Sequence, residues 1–306
     1  MPDLAKRTLG RTGLEVTTLG YGAMELRGEP RGPAVTETEA ANVLNAVLDA
    51  GINFIDTSPD YGSSEEHIGR SISHRRGEYF LASKCGCLVG ARPAPAGQRN
   101  AHVFTAENVR AGVEQSLRRM KTDHLDLVQF HASPGRDELE REGGLAELQK
   151  LQAEGKVRFL GMSGTLPNLR EHIGMGVFDE FQIPYSALER EHEAAIAEAA
   201  TAGAGIVIRG GVARGAPTDW DRARPNLPVR DRWEQANLDA LLDGISRMEF
   251  TLRFTLSLPE LATTIVGTRN PAHLRDNLAA AVKGPLPATV MEEAKRRLAA
   301  AGSKPE

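Results

Sequence analysis

Hydrophobic positions along the chain follow two alternating periods. Short runs rich in β-branched and aromatic residues are separated by longer stretches in which apolar residues recur every three or four positions. The pattern predicts eight strands, at residues 18–22, 53–56, 80–84, 125–130, 159–163, 180–183, 205–209 and 264–266.

Helices are predicted between these strands. Residues 36–51 carry a capping-box pattern at Thr36 and Glu39, an apolar stripe, and a glycine that ends the helix. Thr105 is suited to cap a second helix over residues 105–120. The remaining helical stretches are residues 144–153, 189–202 and 271–282.

Eight strands that alternate with helices imply a parallel sheet. In a chain of 306 residues, eight such units fit a closed (β/α)₈ barrel that forms one domain over residues 1–306. An open dinucleotide-binding sheet is disfavoured because no G-x-G-x-x-G follows the first strand, and Walker A and H-E-x-x-H patterns are also absent from the sequence. Alternation on both sides of residues 11–13 predicts a β-hairpin that closes the bottom of the barrel.

Two long segments without a regular period follow the third and seventh predicted strands, at residues 86–105 and 210–235. Both leave the face where barrel enzymes place their active sites, so they are expected to form walls of a substrate pocket, although some parts are equally well read as surface insertions. Trp220 and Trp233 either line that pocket or anchor the loop to the barrel, and the second interpretation is favoured.

Charge and cysteine content exclude several classes of function. The net charge of −4, with scattered Lys and Arg, gives no reason to expect a nucleic-acid or membrane-surface partner. No secretory signal and no apolar run of about 20 residues is found, so a cytoplasmic location is expected. Cys85 and Cys87 are too close for an unstrained disulfide and have no further metal ligands beside them in the sequence, which predicts reduced thiols. No feature of the sequence indicates the oligomeric state.

Four polar residues lie at or just beyond the ends of neighbouring strands: Asp56, Tyr61, Lys84 and His131. Taken singly, they are explained equally well as a helix cap, a loop aromatic, a solvated strand end and a semi-buried histidine. In a barrel, however, all four are expected to lie on one rim.

Their chemistry is mutually consistent with carbonyl reduction. A tyrosine can donate the proton that the developing alkoxide needs, but its ordinary pKa of about 10 makes it a weak acid. We expect the Lys84 cation to lower the pKa of Tyr61 and Asp56 to keep that lysine charged. His131 can donate a hydrogen bond to the substrate oxygen and orient it.

With these residues, the sequence resembles the aldo-keto reductase family from about residue 7 to residue 281. The resemblance is carried by LGRTGLEVTTLGYGAM, GINFIDTSPDYGSSEEHIGR, LASKCG, HLDLVQFH, VRFLGMSG, FQIPYSALER and TTIVGTRNPAHLRDNLAAA. It implies a (β/α)₈ barrel, a small-molecule carbonyl substrate (an aldehyde, ketone or sugar), and NADPH as cofactor, with NADH as the less common choice. It also implies a catalytic tetrad of Asp56, Tyr61, Lys84 and His131.

The same resemblance implies the residues that contact the cofactor. Ser163 and Gln182 would hold the nicotinamide carboxamide, and Arg269 would favour NADPH because a guanidinium suits a phosphate. The other implied contacts are Gly22, Ala23, Met24, Asp56, Arg209, Gly210, Gly211, Val212, Arg214, Gly267, Thr268, His273, Asp276 and Asn277.

Three positions depart from the family's usual pattern. Gly164 stands where Asn is common, so one carboxamide contact is expected to be missing. Arg209 replaces an aromatic residue that stacks on the nicotinamide; it either stacks there itself or forms a salt bridge at the rim. His273 replaces the more usual Arg or Gln, which weakens the preference for NADPH.

Two other classes of function are considered. A cofactor-binding regulatory or scaffold barrel without turnover is disfavoured because it has no need for all four tetrad residues. A metal-dependent hydrolase or isomerase would need clustered ligands on several strand ends, where only Asp56 and His131 qualify. The tetrad does not specify the direction of the reaction.

Overall fold

A computed structural model describes residues 4–91, 100–219 and 228–306 of the chain. Ten strands are found in these ranges: β1 Lys6–Thr8, β2 Glu15–Thr17, β3 Leu19–Gly22, β4 Phe54–Asp56, β5 Phe80–Cys85, β6 Leu125–Phe130, β7 Val157–Ser163, β8 Glu180–Pro184, β9 Gly205–Arg209 and β10 Thr263–Val266.

Strands β3 to β10 form a closed parallel barrel in chain order, with β10 paired to β3. The predicted barrel fold is therefore confirmed. Two predicted strands, β6 and β9, have the observed boundaries, and the others differ by one or two residues at an end. Because all eight strands run the same way, their carboxyl ends meet at one rim.

The predicted N-terminal hairpin is present. Strands β1 and β2 pair antiparallel, with Arg7 opposite Val16. Leu9 and Val16 pack with residues of the barrel strands, among them Phe54 and Leu127. The hairpin therefore covers the end of the barrel where the strands begin, opposite the rim that carries the polar residues.

Eleven α-helices lie in the described part of the chain: α1 Glu37–Asp49, α2 Ser64–Ser71, α3 Ala106–Met120, α4 Arg136–Arg141, α5 Gly144–Ala153, α6 Leu169–Met175, α7 Glu193–Thr201, α8 Val229–Gln235, α9 Arg247–Leu256, α10 Pro271–Val282 and α11 Ala288–Ala300. The capping box at Thr36 and Glu39 forms as expected, and Thr105 caps α3. The predicted bounds of α5 and α10 agree with the structure.

Two sequence predictions about helices were wrong. Helix α7 begins at Glu193 rather than at residue 189, because Ser186 and Glu189 exchange backbone hydrogen bonds of 3.0 and 3.2 Å in a tight turn. The segment 210–235 was expected to be irregular, but its last residues form helix α8. Trp220 lies outside the described residues.

Trp233 anchors helix α8 to the barrel, as the favoured interpretation predicted. Its indole is 1% exposed, its Nε1 donates to Asp239 Oδ1 at 3.1 Å, and its ring meets Phe250 edge-on.

Both cysteines are free and buried. Among the residues that the structure describes, no helix combines the length and the apolar character needed to cross a membrane.

Candidate active site

The four tetrad candidates converge at the carboxyl ends of β4, β5 and β6. Asp56 is the last residue of β4, Lys84 lies near the end of β5, and His131 follows β6, where its backbone N–H donates to Cys85 O at 3.1 Å. Tyr61 lies in the short loop between β4 and α2. The structure thus brings together the four residues that the sequence singled out.

Asp56 and Lys84 form a buried ion pair. Lys84 Nζ donates to Asp56 Oδ1 at 2.8 Å, to Asp56 Oδ2 at 2.7 Å and to Thr57 O at 2.8 Å, which uses all three ammonium protons. Burial opposes the charge on Lys84, but attraction to Asp56 and Tyr61 outweighs it and raises the pKa of the lysine. Lys84 is therefore a fixed cation at neutral pH.

Tyr61 lies beside this cation. Its ring centroid is 5.2 Å from Lys84 Nζ and 6.2 Å from the His131 ring, which it meets edge-on. Burial raises the pKa of Tyr61 more than Lys84 lowers it, and Asp56 adds to the increase. The expectation of a lowered pKa was thus wrong, and the phenol is held protonated.

His131 is neutral at ordinary pH. Burial, followed by the nearby Lys84 and His102, lowers its pKa well below the usual value. Its Nδ1 lies 3.4 Å from Cys87 Sγ and 3.2 Å from His102 Nε2, so Nε2 is the ring nitrogen outside these contacts. The expectation that Cys87 has no metal-ligating residues near it was therefore wrong, because an isolated β-bridge pairs it with His102.

A long cleft of about 1140 Å³ extends from the tetrad across the ends of β8, β9 and β10. Most of the predicted cofactor contacts line it: Gly22, Met24, Asp56, Gln182, Arg209, Gly210, Val212, Arg214, Gly267, Thr268, Arg269, His273, Asp276 and Asn277. Three predicted contacts, Ala23, Ser163 and Gly211, do not line the cleft. The carbonyls of Ala23 and Gly211 instead accept hydrogen bonds from Ser64 and Thr255.

Ser163 and Gln182 form a chain of hydrogen bonds that ends at the tetrad. Ser163 Oγ donates to Gln182 Oε1 at 3.4 Å, and Gln182 Nε2 donates to Asp56 Oδ2 at 2.9 Å. Gln182 thus keeps one amide proton for another partner. At Gly164 an added Cβ would lie 3.0 Å from Leu169 Cδ1, so the side chain that the family usually carries there would press on helix α6.

The far end of the cleft is formed by β10 and the start of helix α10. Asn270 caps this helix by accepting from the Ala272 N–H at 2.9 Å, and Pro271 occupies its first turn. Arg269 lies at the same place and donates from Nη1 to Ala34 O at 3.1 Å. A helix N-terminus beside a guanidinium is suited to bind a phosphate.

Some cleft residues were missed by the sequence analysis. Glu25 and Arg27 come from the turn after β3, Glu189 from the turn before α7, and Met248 from the start of α9. Glu189 belongs to the motif FQIPYSALER but was given no role there. No local pattern marks the other three, because the fold alone brings these distant segments to one cleft.

Comparison with known proteins agrees with this arrangement. The Aldo/keto reductase family matches residues 18–298. The chain is 27% identical to L-galactose dehydrogenase of Arabidopsis thaliana, over 92% of this chain and 89% of that one. It is 28% identical to D-threo-aldose 1-dehydrogenase of a Pseudomonas species, over 87% of this chain and 89% of the other.

The fold is also shared with a solved structure. An aldo-keto reductase from Bacillus halodurans, in its holo form, superposes with a TM-score of 0.82 at 26% identity, over 96% of both chains. The match over nearly the whole chain, together with these oxidoreductase relatives, supports interconversion of carbonyl and alcohol groups rather than a barrel without turnover. The protein is therefore an oxidoreductase that belongs to the aldo/keto reductase family.

Proposed function

We propose that this protein uses NADPH to interconvert a sugar-class carbonyl and the corresponding alcohol, with Tyr61 as the group that exchanges the proton. The observation that carries the proposal is the convergence of Asp56, Tyr61, Lys84 and His131, the first two of which line a cleft of about 1140 Å³ together with most of the predicted cofactor contacts.

The cleft suits a nicotinamide dinucleotide along its whole length. At the tetrad end, Gln182 can hold the carboxamide with its remaining amide proton. The turn from Gly210 to Arg214 presents backbone along the middle. An added Cβ at Gly267 would lie 2.5 Å from Gly22 O, so only glycine allows the ends of β10 and β3 to approach this closely.

Two features at the far end of the cleft support NADPH rather than NADH. Arg269 and the N-terminus of α10 together offer a guanidinium and backbone N–H groups to a 2′-phosphate. His273 lies exposed on the first turn of α10, and Asp276 and Asn277 follow it on the cleft side. When bound, the nicotinamide supplies a hydride to the carbonyl carbon or accepts one from the alcohol.

Each tetrad residue has a role that its surroundings permit. Tyr61 gives its phenolic proton to the carbonyl oxygen during reduction and regains a proton from solvent afterwards. Lys84 stabilises the transient phenolate, and Asp56 holds the lysine in place and charged. His131 donates to the same oxygen and orients it, since it is neutral with one nitrogen already engaged.

A polyhydroxylated substrate fits the polar surroundings of Tyr61. Arg31 Nη1 lies 3.0 Å from Asp60 Oδ1, one residue before Tyr61, and His102 lies beside His131. These groups can form hydrogen bonds with sugar hydroxyls. The names of two relatives, L-galactose dehydrogenase and D-threo-aldose 1-dehydrogenase, support the same class.

The proposal is tested by incubating the purified protein with NADPH or NADH and carbonyls, and with NADP⁺ or NAD⁺ and alcohols, while following nicotinamide absorbance. Aldoses should be turned over with a higher kcat/KM than simple aliphatic aldehydes, and the phosphorylated cofactor should be preferred. A preference for simple aldehydes would refute the substrate class. Cofactor binding without turnover of any substrate would favour the regulatory alternative.

A further inference from the structure

Cys87, His102 and His131 bring one sulfur and two ring nitrogens together beside the tetrad. Cys87 Sγ is 3.4 Å from His131 Nδ1 and 3.8 Å from His102 Nε2, and the two nitrogens are 3.2 Å apart. Cys87 is buried and the histidines are half-buried. Neither Cys87 nor His102 gives or takes the proton in the carbonyl chemistry described above.

The backbone fixes these three positions. Cys87 and His102 are partners in an antiparallel β-bridge at the end of β5. His131 is tied to the same strand by the hydrogen bond from its N–H to Cys85 O at 3.1 Å. Asn108 at the start of α3 donates from Nδ2 to Cys87 O at 3.2 Å. The β-bridge and these two hydrogen bonds therefore hold the three side chains in place at the rim of the barrel.

Hydrogen bonds alone cannot satisfy all three contacts well. Each ring nitrogen is either a donor or an acceptor, not both, and the thiol has one proton. Two linear hydrogen bonds at most can form among these three atoms, so at least one of the three close contacts is not a hydrogen bond. A single cation, by contrast, satisfies three lone pairs at once.

The spacing also matches a tetrahedral zinc site. Zn–N bonds of about 2.0–2.1 Å and a Zn–S bond of about 2.3 Å imply N···N separations of about 3.3–3.4 Å and N···S separations of about 3.6 Å. The observed separations are 3.2 Å for the nitrogens, and 3.4 and 3.8 Å for the sulfur–nitrogen pairs. We propose that Cys87, His102 and His131 form a binding site for a zinc-like divalent cation, as the three ligands that the described residues supply.

The donor set selects the class of metal. One thiolate and two imidazoles suit Zn²⁺ and related transition metals, whereas Mg²⁺ and Ca²⁺ require oxygen ligands. Cys87 binds the metal as a thiolate. Binding therefore replaces the thiol proton by the metal and releases that proton to solvent. Ser58 Oγ, 3.6 Å from Cys87 Sγ, can then donate a hydrogen bond to the thiolate.

The test measures binding rather than turnover, so it is independent of the proposed function. Metal-free protein is titrated with Zn²⁺ in competition with a chromophoric chelator, and one tight equivalent is expected. Cys87→Ser and His102→Gln should each weaken this binding by more than about 100-fold. That loss is larger than the usual effect of removing a residue that only hydrogen-bonds to a metal ligand. With Co²⁺ as probe, a thiolate-to-metal absorption band should appear and be lost in Cys87→Ser.

Cys85→Ser is the matched control, because Cys85 is a buried thiol two residues away whose side chain packs in the hydrophobic core. It should keep both the tight equivalent and the Co²⁺ band. Far-UV circular dichroism checks that every variant is folded. Absence of a tight equivalent in the folded wild type, or binding by folded Cys87→Ser that equals the wild type, would overturn the proposal.

Discussion

Replacing Lys84 by Met tests the buried ion pair of the tetrad. The lysine and Asp56 side chains are 0% and 2% exposed, and the shorter of their N–O distances is 2.7 Å. At an effective dielectric near 20 this separation corresponds to an attraction of about 6 kcal/mol, most of which offsets the cost of burying the two charges. Lys84→Met removes the attraction but leaves the Asp56 carboxylate buried, with the amide of Gln182 as one remaining donor.

We therefore expect Lys84→Met to lower the free energy of unfolding by about 3–5 kcal/mol, measured by urea denaturation. The double variant Asp56→Asn, Lys84→Met removes the unpaired charge and should regain part of this loss. Turnover should fall by about 100-fold or more in both, because neither has a cation to stabilise the Tyr61 phenolate.

The two readouts separate stability from catalysis. If the double variant is as unstable as Lys84→Met, the unpaired carboxylate is not the cause of the lost unfolding free energy. If turnover recovers in the double variant, Lys84 has no part in the mechanism. The pKa of Lys84 is higher in the folded protein than in the unfolded chain, where it is about 10.4. The stability that charged Lys84 contributes is therefore complete below about pH 10.4 and is lost only as pH rises through the folded pKa. The stability difference should hence be constant from about pH 6 to about pH 9.

Three further outcomes are expected. Arg269→Ala should weaken NADPH binding by about 10- to 100-fold in fluorescence titrations and NADH binding much less; equal losses would show that Arg269 does not contact the 2′-phosphate. Because the pKa of Tyr61 is raised, kcat/KM for reduction should stay level through neutral pH and fall only above about pH 10, and a fall near pH 8 would contradict this. Thr36→Ala should cost about 1 kcal/mol of unfolding free energy without changing kcat, whereas a loss of activity would connect α1 to the site.

The fold, and the meeting of four polar residues at one rim, could be predicted from sequence because their signals are local. Each barrel strand is a short apolar run, and the polar residue at its end shares the rim with its neighbours once the strands are parallel. The capping box at Thr36 and the cap at Thr105 depend on contacts three residues apart, so they too are visible in the sequence.

Other features depend on contacts between distant segments and could not be predicted in this way. The direction of the Tyr61 pKa shift is set by burial, which outweighs the Lys84 charge, and burial is known only from the packed structure. Helix α7 starts late because of the turn at 186–189, and Ser163 bonds to Gln182 rather than facing the cleft. Likewise, 15 residues separate Cys87 from His102, and only the β-bridge brings them together.

The central claim, proton exchange by Tyr61, is tested most directly by single-turnover kinetics. Enzyme that holds NADPH is mixed with a saturating aldose substrate, and oxidation of the nicotinamide is followed in wild type, Tyr61→Phe and Tyr79→Phe. Tyr79 is the control, since its hydroxyl donates to Ile72 O at 3.4 Å at the opposite end of β5. We predict that Tyr61→Phe slows this step by about 100- to 10,000-fold with NADPH still bound, and that Tyr79→Phe reacts at the wild-type rate. A wild-type rate in Tyr61→Phe would contradict the account.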